Sequence, residues 1–119
     1  MSFKTLLAYQ KGFDLAMEIF HLTKSFPKSE MFSLTSQIVR SSRSVCSNIA
    51  EGYRKMQYEK HFKSKMSDAD SENSETLLWL DFALACDYIS EEKRIDLQSK
   101  SEEIGKLINY MMNNPNKFR

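Results

Sequence analysis

The sequence predicts an all-α fold, specifically an antiparallel up-down-up-down four-helix bundle occupying residues 1–119 as one domain. Four stretches carry apolar residues at helical spacing, only 3 Gly and 2 Pro occur in 119 residues, and the breakers fall between those stretches. So few turn formers exclude sandwiches, barrels and Gly-cradle nucleotide folds, and no segment alternates with period two. The 41% hydrophobic content supplies a core without metals or disulfides.

The first helix is expected over 4–26, with Leu6, Phe13, Met17 and Phe20 as its apolar face and Tyr9, Ala16 and Ile19 widening the stripe. Pro27 ends it. A second helix over 33–52 buries Leu34, Ile38, Val45 and Ile49, with Gly52 placed to take a left-handed stop. The third, over 57–88, carries Tyr58, Phe62, Met66, Ala69, Asn73, Thr76, Leu77, Leu80, Leu84 and Tyr88 on one side. Ser90 offers an N-cap to the fourth, over 91–112, with Glu91 and Glu92 where the helix dipole favours anions. Its apolar positions are Ile95, Leu97, Ile104, Leu107, Ile108, Met111 and Met112, and residues 113–119 are expected to fray. Short connections between such helices favour antiparallel neighbours.

Net charge is +1, yet residues 1–65 hold 11 Lys and Arg against 5 acids, while 66–119 hold 6 against 11. The first half attracts phosphates and the second repels them, unless the two halves neutralise each other across the fold. The N-terminus lacks a basic segment followed by an apolar one, and no stretch approaches roughly 18 consecutive apolar residues, so a cytoplasmic protein without membrane attachment is expected. Cys46 and Cys86 stand 40 positions apart without a CxxC or CxxH spacing and read as reduced core thiols.

Arg40, Ser41, Ser44, Asn48 and Glu51 all fall within about 60° of Gln37 at 100° per residue, a polar stripe beside the apolar face of the second helix. Buried amides need partners, and the small serines let another backbone approach. The stripe therefore reads either as a hydrogen-bonded helix–helix or subunit seam, with Gln37, Arg40, Ser44, Asn48 and Glu51 in it, or as a contact with RNA or a protein ligand.

The outer face presents Ser36, Arg43, Ser47 and Arg54, followed by Lys55, and the third helix opens with Lys60, His61, Lys63 and Lys65. Arg43, Arg54, Lys55, Lys60 and Lys63 are candidate phosphate contacts, and Tyr53 and Tyr58 candidate stacking partners for unpaired bases. A solvated charged face is the alternative reading. Glu72 and Glu75 lie on adjoining turns, but a bundle di-metal site needs two Glu-x-x-His pairs and only Glu18 and His21 have that spacing, so no metal site is expected. No nucleophile elbow or oxyanion turn points to hydrolysis, and no catalytic residue, cofactor or metal is assigned.

On these residues the chain resembles the 23S ribosomal RNA intervening-sequence proteins. Phe26-Pro27-Lys-Ser-Glu30, Leu34-Thr35-Ser36-Gln37-Ile38, Arg40, Ser44 and Asn48-Ile49-Ala50-Glu51-Gly52 are similar to that family's FPxxE, LTxQ, R, S and NIAEG hallmark. Lys65, Ser67, Ala69, Glu72, Glu75-Thr76, Trp79-Leu80 and Tyr88-Ile89 extend the likeness through the third helix. Ser42-Arg43 stand where small or apolar residues are usual, and Cys46 where proline is frequent. The resemblance implies a helical bundle able to assemble as a ring-shaped homopentamer, with no established enzymatic activity. It also points to a related branch, the accessory variability protein of diversity-generating retroelements, thought to bind nucleic acid and a reverse transcriptase; at +1 this chain lacks that branch's basicity. The functional expectation is a non-enzymatic oligomeric adaptor that binds structured RNA or other nucleic acid through its basic half. The alternative is a protein-interaction module with an unidentified protein partner.

Overall fold

The computed structural model describes residues 2–119. Among them are four α-helices and no strand: α1 (Leu7–Thr23), α2 (Leu34–Arg54), α3 (Glu59–Ala85) and α4 (Glu91–Asn113), with short 3-10 turns at Phe3–Thr5, Lys28–Glu30 and Pro115–Lys117. The molecule measures 44 × 25 × 21 Å. Its long axis is set by α3, whose 27 residues run about 40 Å at 1.5 Å each.

The expected apolar face of α2 is buried as read, with Leu34, Ile38, Val45 and Ile49 all inside. They meet Phe62, Met66, Leu80, Leu97, Ile104 and Ile108, which are almost wholly excluded from solvent. Ser90 caps α4 as expected, its hydroxyl accepting from the Lys93 amide at 3.0 Å.

α1 departs from the expectation. Phe13 and Met17 are 49% and 37% exposed, whereas Ala8, Gly12, Leu15, Ala16 and Ile19 are buried. The small residues decide the face: a Cβ on Gly12 would stand 3.3 Å from Cys46 Sγ, so α1 lies close on α2 only along its small-residue side. The large side chains are thereby turned outward. Ile95 in α4 is likewise 62% exposed rather than in the core.

Gly52 does not stop α2, which continues to Arg54, and no glycine among the described residues has positive φ. Its missing side chain serves proximity instead, because an added Cβ would lie 3.2 Å from both Lys65 Cβ and Met66 Sδ of α3. The left-handed residue is Asp87, at φ 62°, where α3 ends. There Tyr88 N–H donates to Ala83 O and Asp87 N–H to Leu84 O, both at 2.9 Å, in a Schellman arrangement that satisfies the last carbonyls. Nor do residues 113–119 fray: Pro115 is buried, Phe118 meets the Tyr110 ring edge-on at 6.0 Å, and Arg119 Nε donates to Met56 O at 3.2 Å.

Two polar ties cross the core. The hydroxyls of Ser41 and Thr76 lie 2.9 Å apart between α2 and α3. Asn73 Nδ2 donates to Ser101 O at 2.8 Å and Ser101 Oγ donates to Asn73 Oδ1 at 3.1 Å, joining α3 to α4. By contrast Asn48 is half-buried and donates only to Ser44 O of its own helix, at 2.9 Å. Asn73→Leu is therefore expected to cost about 1–3 kcal/mol in urea unfolding, by breaking both bonds to Ser101 and leaving its buried hydroxyl without its partner on α3. Asn48→Leu is expected to stay within about 0.5 kcal/mol of wild type in the same measurement.

Candidate nucleic-acid interface

Arg54 closes α2, Lys55 caps it, Tyr58 precedes α3, and Lys60 and Lys63 occupy the first two turns of α3. The link is tight: Tyr58 N–H donates to Lys55 O at 2.8 Å, and buried Met56 pins it to the core. Arg54, Lys55, Tyr58, Lys60 and Lys63 are all exposed on this one end of the bundle. Glu59 sits among them, 3.9 Å from Lys63; Arg54, Lys55 and Lys60 make no ion pair among the described residues.

Two of the expected contacts lie apart from this cluster. Tyr53 is half-buried and packs against the core, so its ring faces inward and not toward bases. Arg43 stands 11 residues before Arg54, about 16 Å along the helix, and its guanidinium lies 5.3 Å from the Phe20 ring centroid. Arg119 is an addition that the sequence did not signal, since only the docking of 115–119 brings it to the α2–α3 turn. His61 is another, its ring edge-on to Tyr58 at 6.3 Å.

The polar stripe of α2 is not buried in the bundle. Gln37, Ser44 and Asn48 are half-buried, and Arg40 and Glu51 exposed, along the rim facing α3. Arg40 pairs with Glu75 and lies 3.5 Å from Glu72, while Glu51 pairs with Lys65 at 2.8 Å. The longer charged side chains reach α3 from the edge of the contact, which leaves its buried centre to Ser41. Trp79 is half-buried beside Phe82, its indole N–H buried without an acceptor.

Phe3, Tyr9, Phe13, Ala16 and Met17 from the N-terminal turn and α1, with Arg43, Cys46, Ser47 and Ala50 of α2, line an apolar groove of about 410 Å³. Phe32, beyond its far end, is 92% exposed. Cys46 is buried, and loss of hydration with Asp14 nearby pushes its thiol up to about 11. Cys86 is exposed, contrary to its reading as a core thiol, because α3 ends there and leaves the bundle. Among the described residues no group of three or more His, Cys, Asp or Glu is gathered to hold a metal, and no helix is long and apolar enough to cross a membrane.

The family model for 23S rRNA-intervening sequence proteins matches residues 4–110. The chain belongs to that family. A solved structure described as a protein of unknown function from the S23 ribosomal protein family of Bacteroides thetaiotaomicron is similar, at 28% identity and TM-score 0.79, over 90% of this chain and 96% of that one. Comparison with curated proteins gives no match.

In this 23S rRNA-intervening sequence protein the hallmark residues fasten helices together. Glu30 of the FPxxE segment accepts from Tyr88 Oη at 2.8 Å and Ser33 Oγ at 2.6 Å, while Phe26 packs on the Tyr88 ring at 5.4 Å. Arg40 and Glu51 bind α3, and Gly52 lets α3 approach. The hydrogen bonds from Ser33 and Tyr88 hold the Glu30 carboxyl below its usual 4.5, and the same contact with Glu30 pushes the Tyr88 phenol up to about 12. A depressed carboxylate stabilises above the unfolded value and is lost as pH falls through the folded one; a raised phenol stabilises below about 10 and is lost as pH rises through about 12.

The melting temperature is accordingly expected to fall in Glu30→Gln at pH 7, with the gap to wild type closing as pH drops below 4.5; a gap unchanged at pH 3 counts against the latch. In the folded protein at pH 8, Ellman's reagent is expected to react promptly with Cys86 and slowly with Cys46, and with both after urea denaturation.

Proposed function

We propose that the protein is a non-enzymatic cytoplasmic adaptor that assembles as a homo-oligomer, a pentamer by the family resemblance, and binds structured RNA through its basic end. The observation that carries the RNA reading is the clustering of exposed, unpaired Arg54, Lys55 and Lys60 with Lys63 around one turn, countered only locally by Glu59. Cations so placed engage phosphates and release counterions, which gives affinity without base specificity. The non-enzymatic part rests on the resemblance, which carries no established activity. Self-association is supported by the exposed apolar side chains Phe13, Met17, Met31 and Phe32, which a monomer leaves in water. In a ring the basic ends recur, so weak single contacts add through multivalency.

The bundle order we propose is up-down-up-down with antiparallel neighbours. It is supported by partners that run in opposite senses: Arg40 and Glu51 of α2 meet Glu75 and Lys65 of α3, and Glu18 and Lys11 of α1 meet Lys93 and Glu103 of α4. A protein-interaction module without nucleic acid is the second reading, favoured by the groove in which Phe13 and Met17 stand open beside Arg43.

Titration of a structured RNA at low and at raised salt tests the first reading. Binding is expected to weaken with salt, and Arg54→Glu/Lys55→Glu to lose about tenfold or more at low salt; no binding, or an unaffected double variant, favours the second reading. Light scattering that shows only a 13.9 kDa particle at micromolar concentration overturns the assembly.

A further inference from the structure

The turn joining α2 to α3 carries more than lysines. Tyr58 is 56% exposed, with His61 exposed and edge-on to it one turn along α3. Two adjacent rings left in water beside cations are a surface on which a flat heterocycle stacks at little cost, since neither ring must leave a packed core. A double helix offers only its phosphates there, because its bases are already stacked on one another.

Against the same turn lies Arg119. The segment that presents it is held at three points: buried Pro115, half-buried Phe118 edge-on to Tyr110, and the bond from Arg119 Nε to Met56 O. That bond uses one of the five guanidinium N–H donors and leaves the four on the terminal nitrogens free. The Arg119 guanidinium makes no ion pair among the described residues. A side chain anchored through Nε also loses less freedom on binding than one waving from a frayed end.

We propose that Tyr58 and His61, with Arg119 docked beside Met56, form a site for unpaired RNA nucleotides at the basic end of the bundle: a base stacks on the exposed rings and Arg119, with Lys55 and Lys60, takes the flanking phosphates. The inference rests on the RNA reading above and narrows it to the unpaired parts of a structured RNA. Charge alone binds hairpin and duplex alike; the rings supply the discrimination.

The test measures fluorescence anisotropy at low salt with two labelled RNAs of equal length, a hairpin with an unpaired uridine loop and a blunt duplex. Wild type is expected to prefer the hairpin by roughly tenfold. Tyr58→Ala is expected to abolish that preference while duplex affinity persists, Tyr58→Phe to retain it, and Arg119→Glu to weaken both RNAs severalfold. Both positions are exposed, and unchanged melting temperatures verify that the variants fold. Equal binding of hairpin and duplex by wild type, a preference that survives Tyr58→Ala, or wild-type affinity in Arg119→Glu overturns this site. If binding still depends on Arg54 and Lys55 in those cases, the RNA reading stands without it; if neither RNA binds, both fall.

Discussion

The contact between α2 and α3 is the constraint from which the rest of the structure follows. At its centre Ser41 meets Thr76 at 2.9 Å, and at its end the bare Gly52 admits Met66 and Lys65. Only small side chains permit helices to come this close, and once they do, Ile38, Val45 and Ile49 on one side and Phe62, Met66 and Leu80 on the other are committed to a common core. Burying each of these large side chains is worth about 1.5–3 kcal/mol relative to exposure. The side chains of the Arg40–Glu75 and Glu51–Lys65 ion pairs at the rim are 35–55% exposed, which limits each pair to about 0.2–1 kcal/mol. Apolar packing therefore supplies the energy. The ion pairs fix the register at which the two helices slide together, since a shift of one turn would part Arg40 from Glu75 and Glu51 from Lys65 at once.

That register also places the basic end. With α2 and α3 locked along their length, the turn between them is held at both sides and tethered by Met56, so Lys55, Tyr58 and Lys60 project from a fixed base. The hallmark residues of this family, read in this chain, go largely into the seam and into the Glu30–Tyr88 latch that closes its far end. They hold a scaffold. The groups open to solvent lie elsewhere, at the α2–α3 turn and along the α1–α2 groove.

What was legible in the sequence follows from which physical signals are local. The face of α2, the Ser90 cap and the run from Phe62 to Leu80 are periodic or capping signals, and the helices formed accordingly. On α1 size does not decide burial: Phe13 and Met17 are larger than Ala8, Gly12 and Ala16, but closeness to α2 selects the small side. At Gly52 it is the lack of volume, not conformational freedom, that matters. The polar stripe lies along the α3 side of α2, but its depth varies from buried Ser41 to exposed Arg40 and Glu51, since helical angle alone does not say how far a long side chain stands from the contact line. For Arg119 no local signal exists at all. Its position depends on Pro115 and Phe118 finding the core, a tertiary event with no period to read.

The basic end and the near-zero net charge are reconciled by where the acids are spent. Glu18 binds both Lys93 and Lys100, Glu103 binds Lys11, and Asp81 binds Arg94, so α4 and the distal part of α3 neutralise cations along the sides of the bundle. Glu72 and Glu75 are occupied by Arg40. The two charges of such a pair offset each other at a distance, whereas Arg54, Lys55, Lys60 and Arg119 have no ion-pair partner among the described residues and lie together. A sum over the chain averages these away to +1. A ligand approaching the α2–α3 turn meets unpaired cations, and one approaching the α1–α4 flank meets the closed pairs of Glu18 and Glu103, so the molecule is polar in its interactions although almost neutral as a whole.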